Sequence, residues 1–211
     1  NGGPNDARVS VHIYPSKGTY VLADAGPGVD AEAIHVDPAE AGTRWSYDPA
    51  YADERLVSRI LSTDAYVRDG VLVTPLAGGL PLAGLELVFT SGYLVGKLEQ
   101  NPWRIDDGVI AGRWKMESLY NSVGKFTVSF GGSAVPLCAL PTFSTFAEEL
   151  CKKADIAALP SDDGKPLPCD ALSVAIGFVG EPAIIGDPVP ITTLAGCGGD
   201  DAGNPVPLVC P

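Results

Sequence analysis

Tyr66-Val67-Arg68-Asp69-Gly70-Val71-Leu72-Val73 decides the fold class. Two runs of β-forming residues flank an Asp-Gly pair, and that pair tolerates the positive φ angles a two-residue hairpin needs. The neighbouring sequence follows suit. In Arg8–Tyr14, Val9, Val11 and Ile13 alternate with Ser10, His12 and Tyr14, the period of a half-buried strand. Pro15 to Gly18 then turns the chain into a second strand, Tyr20–Ala23. Further on, Leu85, Leu87 and Phe89 alternate with Glu86, Val88 and Thr90. Ser91-Gly92 is expected to turn that strand into Tyr93–Leu98, and Asp106-Asp107-Gly108 to lead into Val109–Trp114. Val95-Gly96-Lys97-Leu98 and Ala111-Gly112-Arg113-Trp114 rhyme, so both glycines are expected to meet one packed neighbour.

Helical signals are short. Glu54–Leu61 places Leu56, Val57, Ile60 and Leu61 on one face behind Asp53 as cap. Lys115–Val123 suits one or two helical turns, and Phe126–Phe130 a last strand. Thr142–Ala154 carries the stripe Phe143, Phe146, Ala147 and Leu150, with Lys152 and Lys153 where the helix dipole favours cations. Asp170–Val179 reads as a second short helix with Leu172, Ala175 and Ile176 apolar. Residues 24–53 form a long acidic excursion pinned by Trp45, Tyr47 and Tyr51. The expected fold is therefore mainly β, an antiparallel sandwich or open barrel over residues 7–135. A disulfide-stapled helical hairpin and irregular tail follow at 136–211, giving α+β overall.

Composition limits the function classes. Among 211 residues, 45% are hydrophobic and 19% charged, enough to build a core. Lys and Arg number 14 against 26 Asp and Glu, for a net charge of −12. A nucleic-acid partner needs clustered cations, so none is expected. No apolar run reaches the roughly 18 residues of a membrane span. The opening Asn1 to Asp6 holds no basic-then-apolar leader, so a signal peptide is expected to have been removed or never present.

Five cysteines, Cys138, Cys151, Cys169, Cys197 and Cys210, crowd the C-terminal part without zinc-site spacing. They read as disulfides, which implies an exported protein in an oxidising compartment: periplasm, outer surface or extracellular space. A helical hairpin would bring Cys151 to Cys169 and leave Cys138 to bond Cys197, with Cys210 unpaired or intermolecular. The alternative is two local loops, Cys138–Cys151 and Cys197–Cys210. Geometry favours the nested pattern, because a helix between Cys138 and Cys151 holds their Cα atoms apart.

A resemblance runs through the second half. Asp107-Gly-Val-Ile-Ala-Gly-Arg-Trp114, Leu137-Cys138, Glu149-Leu-Cys151, Ala154-Asp-Ile156, Pro168-Cys-Asp-Ala-Leu-Ser173 and Gly177-Phe178 resemble exported lipoproteins of Gram-negative soil bacteria. The likeness covers about residues 105–180. It implies an envelope location and no particular activity.

Catalytic signatures are sparse. His12 and His35 are the only histidines, and no Gly-x-Ser-x-Gly elbow, phosphate loop or dinucleotide fingerprint occurs. No catalytic, cofactor or metal residue is therefore assigned. The acidic pairs Asp106-Asp107, Asp162-Asp163 and Asp200-Asp201 all sit in glycine-punctuated stretches that turn chemistry explains. Calcium is the one cofactor considered, at Cys197–Asn204, whose oxygens lack an EF-hand's spacing. Trp45, Trp103 and Trp114 lie near acids, as on a sugar-stacking face, although large aromatics more often fill cores. The sequence thus points to a non-enzymatic exported envelope or extracellular protein. It would act by binding an envelope or glycan partner, or by homo-oligomeric self-assembly. The alternative is a small hydrolase using carboxylates from residues 24–53 and 106–107, with calcium assisting.

Overall fold

The computed structural model describes residues 4–16, 44–82, 85–100, 103–130, 133–190 and Leu208. Along the chain run β1 (Asp6–Ile13), β2 (Arg44–Tyr47), β3 (Ile60–Arg68), β4 (Val71–Leu82), β5 (Leu85–Gln100) and β6 (Trp103–Lys115). Then come α1 (Met116–Gly124), β7 (Thr127–Phe130), β8 (Ser133–Pro136), α2 (Phe143–Cys151), β9 (Ala171–Gly180) and β10 (Ile184–Pro188). The expectation of a mainly β, antiparallel protein holds. Its main element is an open six-stranded sheet in the order β1-β3-β4-β5-β6-β9. Two-stranded ribbons β7-β8, antiparallel, and β10-β2, parallel, complete the sheets.

Contacts divide the chain into two compact units. One comprises Asn1–Thr74, Leu94–Val109 and Gly177–Thr192, the other Pro75–Tyr93, Ile110–Ile176 and Thr193–Pro211. The dividing points fall inside β4, β5, β6 and β9 rather than at Pro136.

In the first unit the Asp-Gly hairpin forms as read. Tyr66 faces Val73, Val67 faces Leu72 and Arg68 faces Val71. Asp69 (φ 51) and Gly70 (φ 77) take the two left-handed positions. The Gly70 N–H donates to Pro4 O at 2.9 Å, and its carbonyl accepts from Leu98 N at 2.8 Å. β1 pairs antiparallel with β3 from Asp6↔Val67 to Ile13↔Ile60, with register shifts between Asp6 and Val9 and between Val9 and Val11. The helix expected at Glu54–Leu61 is absent. Asp53 does accept from the Arg55 and Val57 amides, both at 2.8 Å, but Leu56 turns left-handed (φ 58) and ends the turn before a helix can propagate. The Asp106-Asp107-Gly108 turn is also overturned: it lies inside β6, with Asp107 left-handed (φ 50). Gly108 is buried where a Cβ would meet the Phe178 ring at 2.7 Å, so packing rather than turning requires that glycine.

In the second unit Leu76, Leu80, Leu87, Phe89, Ile110, Trp114, Met116, Leu119, Phe143 and Leu150 form the buried core. Each such side chain contributes roughly 1.5–3 kcal/mol of burial. The predicted turn at Ser91-Gly92 does not form, because β5 continues unbroken to Gln100. A Cβ at Gly92 or Gly112 would press on Phe89, at 3.0 Å and 2.6 Å respectively. Both glycines thus serve close packing on a ring. Gly96 instead packs on Ile105 in the first unit, so the rhyming Gly96 and Gly112 do not share a neighbour. The short helix α1 is positioned by Ser122, whose hydroxyl donates to Glu86 O at 2.8 Å and accepts from Glu86 N at 3.2 Å. In α2, Phe143 stacks between Tyr120 (4.6 Å) and Phe146 (5.6 Å).

Candidate functional site

The second helix expected at Asp170–Val179 is a strand. Burial along β9 alternates strictly after Ala171: Leu172, Val174, Ile176, Phe178 and Gly180 are half-buried, while Ser173, Ala175, Gly177 and Val179 are exposed. That is period 2, and β-branched Val174, Ile176 and Val179 favour it. β9 ends the six-stranded sheet, so one border is paired with β6 and the other faces outward.

Hydrogen bonds identify which groups face which way. Asp170 O accepts from Met116 N at 3.0 Å, so even-numbered residues address the β6 side. Ala171 N donates to Ile156 O at 3.0 Å, and Ala171 O accepts from the amides of Asp155 (3.1 Å) and Ile156 (3.4 Å). The Ser173 amide donates to Asp155 Oδ1 at 2.7 Å. Successive residues of a strand present their backbone groups to opposite borders, so odd-numbered residues address the outside. Residues 171 and 173 are covered; those that follow are Ala175, Gly177 and Val179. Among the described residues none bonds their outward backbone groups.

The covering segment is strapped down. Arg113 grips Asp163 through both guanidinium nitrogens (2.7 and 2.6 Å) and donates to Ala157 O at 2.9 Å. Thr90 Oγ1 donates to Ala158 O, and Asp170 Oδ1 accepts from Ala158 N at 2.6 Å. The Ser173 hydroxyl, followed by its amide, holds the Asp155 carboxyl below the usual carboxylate range. The Arg113 guanidinium does the same for Asp163. Asp162 pairs with Lys165 at 2.8 Å. The acidic pair 162–163 therefore anchors the strap.

The other border of the sheet is different. β1 carries Asp6, Arg8 and His12 and two register irregularities. Charges, bulges and prolines are the usual protection of an exposed strand against pairing. β9 has no charged residue, no proline and no lysine across Ala171–Gly180.

The remaining candidate residues scatter. His12 is exposed and lies 6.5 Å, near parallel, from the Tyr14 ring; His35 lies outside the described residues. Trp114 is buried in the core, and Trp45 is 37% exposed beside Ile185 in the β10-β2 ribbon. Residues 24–43, Tyr20–Ala23 and Cys197–Asn204 lie outside the described residues, so the carboxylate convergence and the calcium loop are not placed. Among the described residues no group of three or more His, Cys, Asp or Glu is arranged to hold a metal.

The expected staple Cys151–Cys169 is not made. Cys169 is a free, exposed thiol. The reason is the missing hairpin: Cys169 precedes a strand, so no returning helix carries it to the end of α2. Cys138 and Cys151 are both disulfide-bonded, as the alternative of a local Cys138–Cys151 loop expects, while Cys197 and Cys210 lie outside the described residues. Among the described residues no helix is long and apolar enough to cross a membrane.

The border of β9 escaped the sequence reading because Leu172, Ala175 and Ile176 also fit a helical stripe. The finer alternation of Leu172, Val174, Ile176 and Phe178 was the signal that identifies it. No family model, curated protein or solved structure matches the chain.

Proposed function

We propose that this is a non-enzymatic exported protein of the cell envelope or extracellular space, acting by binding or self-assembly through its open sheet. The observation that carries the reading is the contrast between the two borders. β1 is charged and irregular, whereas β9 is regular and uncharged. An unguarded border is a template for an added strand, since main-chain bonds supply affinity without a deep pocket. The C-terminal cysteines and the resemblance to exported lipoproteins support the compartment.

Hydrogen exchange on the intact chain tests the mode of action. The amides of Ala175, Gly177 and Val179 are expected to exchange rapidly in the isolated protein and slow on engagement. Slow exchange at all three in the dilute, unliganded chain defeats the proposal. Cell fractionation tests the compartment separately, and a cytosolic location would refute that part.

A further inference from the structure

We infer that the aromatic row His12, Tyr14, Tyr47 and Trp45 is a binding platform for an uncharged, extended oligosaccharide. All four residues belong to the first compact unit. Their juxtaposition follows from the path of the chain. His12 and Tyr14 lie two residues apart at the end of β1, with ring centroids 6.5 Å apart and planes within 12°. The Asp48 amide donates to Pro15 O at 2.8 Å, and the Ser16 and Ser46 hydroxyls lie 3.2 Å apart. Residues 14–16 are thereby laid beside β2, which brings Tyr47 to Tyr14 at 6.3 Å, edge-on at 77°. Ser46 is buried, so Trp45 and Tyr47 on either side of it project together to the opposite face. Trp45, an exposed ring, extends the row. The Tyr14 hydroxyl donates to Leu56 O, within the left-handed turn closed by Asp53, and this fixes the ring before any ligand arrives.

The chemistry of the row selects the ligand. A pyranose has apolar faces and a rim of hydroxyls, and Trp, Tyr and His answer it in kind with a flat apolar face and a polar edge. Successive side chains can meet successive sugars, and the turn from parallel to perpendicular at Tyr47 suits a polymer whose units twist relative to one another. The row contains no carboxylate, lysine or arginine. Two acids close to it in sequence are spent on the backbone: Asp48 accepts from Ala50 N at 3.0 Å, and Asp53 from the amides of Arg55 and Val57. Recognition therefore falls to ring faces rather than ion pairs. The chain's net charge of −12 disfavours acidic polysaccharides, nucleic acids and a second copy of the chain alike. An uncharged glycan satisfies both conditions. The inference goes beyond the strand-adding role proposed for β9 and uses none of that border.

The test uses the whole chain, with cellohexaose, xylohexaose and chitohexaose as uncharged probes and a hyaluronan hexasaccharide as the acidic one. Isothermal titration calorimetry reads affinity, and nuclear magnetic resonance shifts of the four rings read location. At least one uncharged hexamer should bind and shift these rings, and its disaccharide and the acidic hexamer should each bind about tenfold or more weakly. Trp45→Ala should lower the affinity about tenfold or more, and Trp45→Phe, which keeps a ring, should restore part of it. Should Trp45→Ala disturb the ribbon, His12→Ala, at an exposed ring, should weaken binding independently. Binding by none of the uncharged hexamers overturns the inference, as does binding that both alanine variants leave unchanged. Equal binding of the acidic hexamer overturns it too. Nonaproline shifting the same rings more strongly than any hexamer overturns it in favour of a proline-rich protein partner. Amide exchange at Ala175, Gly177 and Val179 is read on the same samples, and rapid exchange there leaves the strand-adding proposal standing whatever the glycans do.

Discussion

Thr74 is fully buried in β4, and its hydroxyl has no hydrogen-bond partner among the described residues. A buried hydroxyl left unpaired costs about 1–3 kcal/mol on the protein mutational scale. Valine has nearly the same shape without the polar atom. Thr74→Val should therefore raise the unfolding free energy by about 1–2 kcal/mol, read from the midpoint of urea denaturation at constant slope. An unchanged or lowered midpoint would mean that the hydroxyl is satisfied. Nothing in the sequence marks Thr74 as exceptional, since Val71 to Pro75 reads simply as strand. By contrast, Asp69 and Gly70 were legible because local backbone chemistry alone dictates a left-handed pair. Asp106-Asp107-Gly108 carries the same local signal, but neighbours decide its setting: Phe178 lies over Gly108 and the chain continues as strand. Local rules are readable in sequence where the tertiary environment does not compete with them.

At the scale of elements, the parity of β9 makes a sharp prediction. Val174 presents its N–H to β6, so Val174→Pro removes a ladder bond and should cost on the order of 3 kcal/mol or more. Ala175 presents its N–H outward, so Ala175→Pro should cost far less by thermal denaturation. Equal losses at both positions would show that the outward border is paired. The strap over 155–163 makes a second prediction, about acid. Asp155 and Asp163 both have carboxyl groups held below their ordinary range. Their contribution is complete above the unfolded carboxylate pKa of about 4 and is lost as pH falls through the lower folded values. The Ala158 amide, bonded to Asp170 under the strap, should lose its exchange protection in that window ahead of the core of β5. Simultaneous loss would show that strap and core open as one. β1, α1, α2 and the β3–β4 hairpin were legible as elements, because each carries a single dominant period or turn. β9 was not, because its residues satisfy two periods and the choice lay with its neighbour β6.

For the molecule as a whole, composition correctly indicated a mainly β chain rich in turns, while the long-range order of strands had no local signature. Ala171–Gly180 joins β6 across the helices, ribbon and strap that lie between them in the chain, a pairing no short window of sequence contains.

 The pairing depends on the fold bringing distant segments together. The asymmetry of the sheet then sets a stoichiometry. Under the binding role proposed for it, a β9 border that accepts a strand, opposite an irregular and charged border at β1, lets the sheet be extended once and no further. Such a molecule terminates growth instead of propagating it. Titrated with a strand-donating partner, it should saturate at one equivalent, and light scattering should stay flat as excess partner is added. Fibrils or open-ended oligomers would show that β1 is receptive after all.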